Sequence, residues 1–148
     1  MARIQHSVEI ERPPQEVFEV LTDLDRLPLW ATMVVENHDL PDAPLRSGDS
    51  FRQTVRVAGV NLDTEWTVLE IEPPRQVRYE ARAAGGGRLH MVQRVTEAGA
   101  GSRLEVDVDY DLPGGFLGEA LDRVYVERRN QREAEHTLQN LKDLLESL

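Results

Sequence analysis

Few side chains in this sequence have the type and spacing to do chemistry. The four histidines, His6, His38, His90 and His136, fall at no metal-ligand spacing, and no H-E-x-x-H pair exists. Glu133-x-x-His136 has the E-x-x-H spacing of di-iron bundles, but a second copy and two more helical Glu residues are missing, and a solvated helix face accounts for it. Asp107-x-Asp109-x-Asp111 alternates acids as a calcium loop does, yet Leu112 stands where the turn Gly belongs and Gly118 where the bidentate Glu belongs. Gly114-Gly115-x-x-Gly118 lacks the Lys of a phosphate-cradling loop and needs only a tight turn to explain it. There is no G-x-S-x-G elbow. The absence of Cys removes disulfides, thiol nucleophiles, thiolate zinc sites and cysteine-held iron–sulfur clusters together. No metal and no cofactor is expected. The titratable candidates for acid–base work are Asp63, Glu65, Tyr79, Tyr110 and Tyr125, and Arg128 is the candidate for holding an anion.

The elements that must position these groups are legible from periodicity and punctuation. Residues 2–11 read as a strand that stops at Pro13-Pro14, since Pro cannot continue a central ladder. A Pro suits the first turn of the following helix, expected over about 14–22, with Val17, Phe18, Val20 and Leu21 on its buried face. Asp23 can cap a short second helix ending on Trp30. From Thr32 onward, runs rich in Val, Thr and aromatics are closed by Gly or Pro clusters, which predicts six antiparallel strands at about 32–39, 49–58, 61–72, 75–83, 88–97 and 102–112. After Pro113-Gly114-Gly115 nothing breaks a helix, and about 33 residues at 1.5 Å each would extend roughly 50 Å. The loop DLPDAPLRSGD is the longest irregular stretch and a candidate lid.

Composition narrows the function classes. A chain of 148 residues, 40% apolar, fits one domain with one core, here 1–148. Seventeen basic against twenty-seven acidic residues leave a formal charge of −10, which opposes binding to nucleic acid or an anionic bilayer. No apolar run is long enough for membrane insertion, and the first twenty residues lack the apolar stretch of a signal peptide, so a cytoplasmic protein is expected.

The order strand, two short helices, six strands and a long terminal helix resembles the helix-grip fold of the START and birch-pollen-allergen-like superfamily. The segments SVEIERPPQEVFEVLTDLDRLPLW, GAGSRLEVDVDYDL and LQNLKDLLESL are similar to its bacterial polyketide cyclase/dehydrase-like branch. The resemblance implies an α+β fold, a curved antiparallel sheet of about seven strands wrapped around the C-terminal helix, with a cavity between them for a hydrophobic or aromatic small molecule, a lipid, polyketide or quinone-like compound. Alternation puts Phe51, Gln53, Val55, Leu62, Thr64, Trp66, Val77, Tyr79, Ala81, Val106, Val108 and Tyr110 on inward faces, where they would line such a cavity or simply fill a core. On the next-to-last strand apolar content favours Leu89, Met91, Gln93 and Val95 inward and His90 and Arg94 outward, although a bulge after the triple Gly would reverse this. Trp30 closes the short helix that leads into the sheet.

Along the terminal helix, Leu117, Leu121 and Val124 begin a stripe that continues through Arg128, then Gln131 or Arg132, and Glu135, before returning to Leu138, Leu141 and Leu145. An unpaired buried charge costs several kcal/mol, on the order of 3–5, so this middle section faces either a wet cavity or open water. In the first case Arg128 and Arg132 would hold a carboxylate, phenolate or enolate. Three functions follow. One is binding of an apolar or aromatic ligand. A second is polyketide cyclisation or dehydration, with Tyr79, Tyr110 or Arg128 in acid–base or orienting roles. The third is an interaction module, with the chain monomeric or homodimeric.

Overall fold

The computed structural model describes residues 2–114 and 123–148. Strand β1 (Ala2–Ile10) ends before Pro13, whose extended backbone caps α1 (Pro14–Leu21); Pro14 occupies the first turn, where no amide donor is needed. Val17, Phe18, Val20 and Leu21 are all buried, as their spacing predicts. The Thr22 hydroxyl donates to the Phe18 carbonyl at 2.8 Å and closes the helix. A 3₁₀ turn, Leu24–Arg26, is capped by the Asp23 carboxylate and runs into α2 (Leu27–Trp30).

Six strands follow: β2 (Val34–His38), β3 (Ser50–Val57), β4 (Val60–Glu72), β5 (Gln76–Ala83), β6 (Gly87–Ala98) and β7 (Gly101–Asp111). All pair antiparallel in one sheet of order β1-β7-β6-β5-β4-β3-β2, so the last strand returns to lie beside the first. Gly101 makes that return possible, because a Cβ there would overlap the Ile10 carbonyl. Bulges at Val35 in β2 and Leu69 in β4 interrupt the ladders, and such insertions bend a sheet and strengthen its twist. The long helix α3 (Arg123–Glu146) packs against β1, α1 and α2. This is the α+β helix-grip architecture, with seven strands. The proposed N-terminal extension of the helix, with Leu117 and Leu121, lies outside the described residues.

The loop 39–49 has an inward anchor: Leu45 is buried in the main apolar cluster, and the Gly48 amide donates to the Val68 carbonyl at 2.8 Å. It contributes no side chain to the cavity described below, contrary to its expected role as a lid.

The buried apolar side chains form two clusters. The larger joins α1, the C-terminal half of α3 and the sheet through Val17, Val68, Val77, Leu104, Leu141 and Leu145, all fully buried. The smaller, Ile4, Val108 and Tyr110, lies towards the other end of the β1–β7 pair, with Ala134 of α3 beside it.

Candidate functional site

Between these clusters the sheet and α3 border a partly open cavity of about 250 Å³. Its sheet wall is built by side-chain alternation. Phe51, Gln53 and Val55 of β3, Leu62, Thr64 and Trp66 of β4, Tyr79 and Ala81 of β5, Leu89, Met91 and Gln93 of β6, and Val106, Val108 and Tyr110 of β7 all line it. Met91 and its set face inward on β6, leaving His90 on the other face, in register with Glu80 and Asp109. Val77, expected in the lining, sits instead in the packed cluster, fully buried. Trp30 enters from α2, and α3 supplies Asn130, Ala134, Thr137 and Leu138. Gly87 and Pro113 close one end; a Cβ on Gly87 would lie 2.8 Å from Pro113 Cδ, so only Gly lets the two segments meet there.

The space survives because the helix residues facing it are short. Where α3 presents Leu141 and Leu145 the interior is filled, and where it presents Ala134 and Thr137 it is not. Three aromatic rings make up part of the opposite wall. Phe51 stacks on Trp66 with centroids 6.0 Å apart, and Tyr79 meets Trp66 edge-on at 5.8 Å.

Most polar groups on the wall are satisfied by protein. Trp66 Nε1 donates to Thr64 Oγ1 at 2.9 Å, Thr64 Oγ1 donates to the Gln53 carbonyl at 2.6 Å, and Gln53 Nε2 donates to Asn37 Oδ1 at 2.8 Å. Asn130 Nδ2 donates to the Tyr110 hydroxyl at 2.9 Å. His6 Nε2 lies 2.8 Å from Gln131 Oε1, an acceptor, so this ring nitrogen carries the proton; Gln131 Nε2 in turn donates to the Arg3 carbonyl, tying α3 to β1. Burial pushes the Tyr79 phenol well above its ordinary pKa, with desolvation the sole cause, so this hydroxyl stays protonated across the physiological range. Three polar atoms of residues in the lining, Trp30 Nε1, Gln93 Oε1 and Asn130 Oδ1, have no hydrogen-bond partner and almost no accessible surface, so they are buried behind the wall rather than facing the open space.

The sequence model of the family described as "Polyketide cyclase / dehydrase and lipid transport" matches residues 1–146. The chain belongs to this family. Within the reach of sequence comparison, Toxin Rv0910 of Mycobacterium tuberculosis (strain ATCC 25618 / H37Rv) is 28% identical over 114 residues, which cover 76% of this chain and 78% of that protein. Among solved structures, a START superfamily protein from Mycobacterium smegmatis superposes with a TM-score of 0.75 at 15% identity, covering 99% of both chains. Protein CV1439 from Chromobacterium violaceum does so with a TM-score of 0.74 at 16% identity, again over 99% of both. At such identities the structural likeness establishes the fold.

The cyclase/dehydrase-family cavity gathers eight of the residues singled out from sequence: Trp30, Phe51, Val55, Trp66, Tyr79, Met91, Val108 and Tyr110. It does not gather the basic residues. Arg128 and Arg132 are exposed, Val124 is 52% exposed, and none of the three is on the wall; Leu121 lies outside the described residues. The expected stripe is out of phase. Stepping back from Leu145 and Leu141 at 3.6 residues per turn gives Thr137 or Leu138, Ala134, Asn130 and Val126, and these are the residues turned inward. Starting from Val124 rotates the stripe by roughly one residue, about 100°, and lands on charges that the helix keeps in water. Asn130, 4% exposed, is the functional candidate missed this way. Among the described residues no group of three or more His, Asp or Glu side chains is placed to hold a metal ion, and no helix is long and apolar enough to cross a membrane.

Proposed function

We propose that this protein binds an uncharged hydrophobic small molecule between its sheet and α3. The observation that carries this reading is the cavity of about 250 Å³ with its aromatic and aliphatic wall. An apolar cavity of about 150 Å³ already admits benzene, and pockets for drug-sized ligands begin near 300 Å³, so the space suits a molecule of one or two rings or a short chain. Membership of a family whose description includes lipid transport supports the same class of ligand.

Binding is better supported than acid–base ring closure. Tyr79 holds its proton too tightly to act as a base near neutrality, the Tyr110 hydroxyl already accepts from Asn130, and Arg128 lies on the outer side of the helix. The toxin designation of the mycobacterial relative describes that protein; here the cavity is the feature that asks for an occupant.

Native mass spectrometry against a panel of neutral lipids, flavonoids and quinones tests the proposal, with Ala134→Leu as the control because it fills the cavity from the helix side. One-to-one adducts in the wild type that vanish in the variant support it. A panel without adducts, or adducts equally abundant in both proteins, overturns it.

A further inference from the structure

The His6 ring borders the cavity in a state that the protein fixes. It shares the inward side of β1 with Ile4 and is half-buried. The Arg3 carbonyl only accepts, so the Gln131 amide turns its nitrogen to Arg3 and its oxygen to His6. That oxygen takes the Nε2 proton. In the neutral ring Nδ1 is then a bare lone pair, a hydrogen-bond acceptor.

Two polar atoms of the lining are open rather than sealed. Among the described residues, His6 Nδ1 and the Tyr79 hydroxyl have no hydrogen-bond partner, and neither belongs with the buried orphans Trp30 Nε1, Gln93 Oε1 and Asn130 Oδ1. Tyr79 is 4% exposed and faces inward, so the surface its hydroxyl keeps is cavity surface. One of the two atoms accepts and the other donates. The wall groups around them are engaged already: Trp66 with Thr64, Tyr110 with Asn130, and Thr137 with Thr32.

Sheet register sets these two atoms on opposite sides of the space. His6 is opposite Val106, which is opposite Gln93 and then Val77 of the filled core, so His6 stands where the cavity meets the packed half. Tyr79 lies on β5, three strand spacings from β1, about 14 Å along the sheet at 4.8 Å each and less across its concave face. The floor between them, Met91, Val106 and Val108, is apolar. The charged lining residues Arg88 and Asp111 are exposed and in register with each other, five residues along β6 from Gln93, about 16 Å away.

Resting on the binding reading above, we infer that His6 and Tyr79 are the two polar contacts that select and orient the ligand. A flat apolar body lies over Met91, Val106 and Val108. At one end a ligand O–H or N–H donates to His6 Nδ1; at the other an oxygen accepts from the Tyr79 hydroxyl. The substrate class is therefore a hydroxyaryl ketone or ether rather than a plain hydrocarbon or a molecule with acceptors alone.

Calorimetric titration with three probes of one shape tests this: a naphthol, the methoxynaphthol with its oxygens at opposite ends of the ring pair, and the matching dimethoxynaphthalene. The methoxynaphthol should bind about fivefold more tightly than either of the others, one hydrogen bond separating each pair. His6→Phe should erase its advantage over the dimethoxynaphthalene, and Tyr79→Phe its advantage over the naphthol, with circular dichroism checking that both variants fold. Nitrogen-15 NMR of the wild-type ring needs no variant. The free protein should show Nε2 protonated and Nδ1 bare, and the methoxynaphthol, but not the dimethoxynaphthalene, should shift the Nδ1 signal. If the probes bind with equal affinity, or the Nδ1 signal stays in place, this inference fails and the binding reading stands. A proton on Nδ1 in place of Nε2 overturns it as well. If no probe binds to the folded wild type, both readings fall.

Discussion

The two halves of α3 meet the same sheet in different ways. Towards the C-terminus, Leu141 and Leu145 are 0% exposed and interlock with Val17, Val68 and Val77 in a dry, filled core. Towards the N-terminus the same face carries Thr137, Ala134 and Asn130, and the sheet opposite keeps its aromatic and aliphatic side chains without a large partner. One half of the interface stabilises the fold and the other leaves room. A helix-grip protein thus separates stability from ligand capacity along a single helix, by side-chain volume alone.

The sharpest way to break that division is a pair of opposite substitutions. Leu141→Ala should cost about 2–5 kcal/mol in urea unfolding, the usual range for opening a cavity in a packed core. Ala134→Leu should change stability by less than about 1 kcal/mol, since it fills existing space, and should weaken binding of a neutral aromatic probe at least tenfold. If Ala134→Leu proves as disruptive as Leu141→Ala, the two halves are equally packed and the division is wrong.

A smaller effect separates the outer face of the sheet from the inner. On the outer side Arg3 makes a two-pronged contact with Asp107, at 3.1 and 2.9 Å, and this guanidinium holds the Asp107 carboxyl below its ordinary range, with Gln5 adding a weaker bond. A carboxyl whose folded pKa is depressed adds stability above its unfolded value, about 3.9, and loses it as pH falls through the lower folded value. Asp107→Asn should therefore be slightly less stable than wild type at neutral pH, and the gap should close in acid below about pH 4. Ligand affinity should not change, because Asp107 is not on the cavity wall. Paired unfolding curves at pH 7 and pH 3 measure this.

The smallest expected effect belongs to Arg128. Exposed on the outer side of α3, it should tolerate Arg128→Ala with ligand affinity unchanged within about twofold and stability within about 0.5 kcal/mol, the usual range for a surface change. A tenfold loss of affinity would return the anion-holding role to this residue.

Much of this molecule is legible in its sequence, and the failures are local. Strand faces follow from alternation because each strand must bury one side; the excess of apolar residues on the Met91 side of β6 suffices to orient it. The helix phase fails because its stripe is anchored on Val124, an apolar residue that the structure leaves half exposed, whereas Leu141 and Leu145 carry the true phase. An Asn on the inward stripe reads as an interruption until the cavity explains it. Which buried atoms lack partners is set by distances between strands and helix that no spacing rule encodes. The basic patch expected inside α3 is absent from the interior, so Arg128 and Arg132 give no reason to expect an anionic ligand.

The central claim is that a neutral aromatic molecule occupies the space between the sheet and the Asn130–Leu138 stretch of α3. Anomalous diffraction from crystals soaked in a bromonaphthalene tests it most directly. The account predicts a bromine peak inside the cavity, among Trp66, Tyr79, Met91 and Ala134. Peaks confined to the outer surface of α3 near Arg128 and Arg132, with the cavity collapsed or filled by its own side chains, would contradict it.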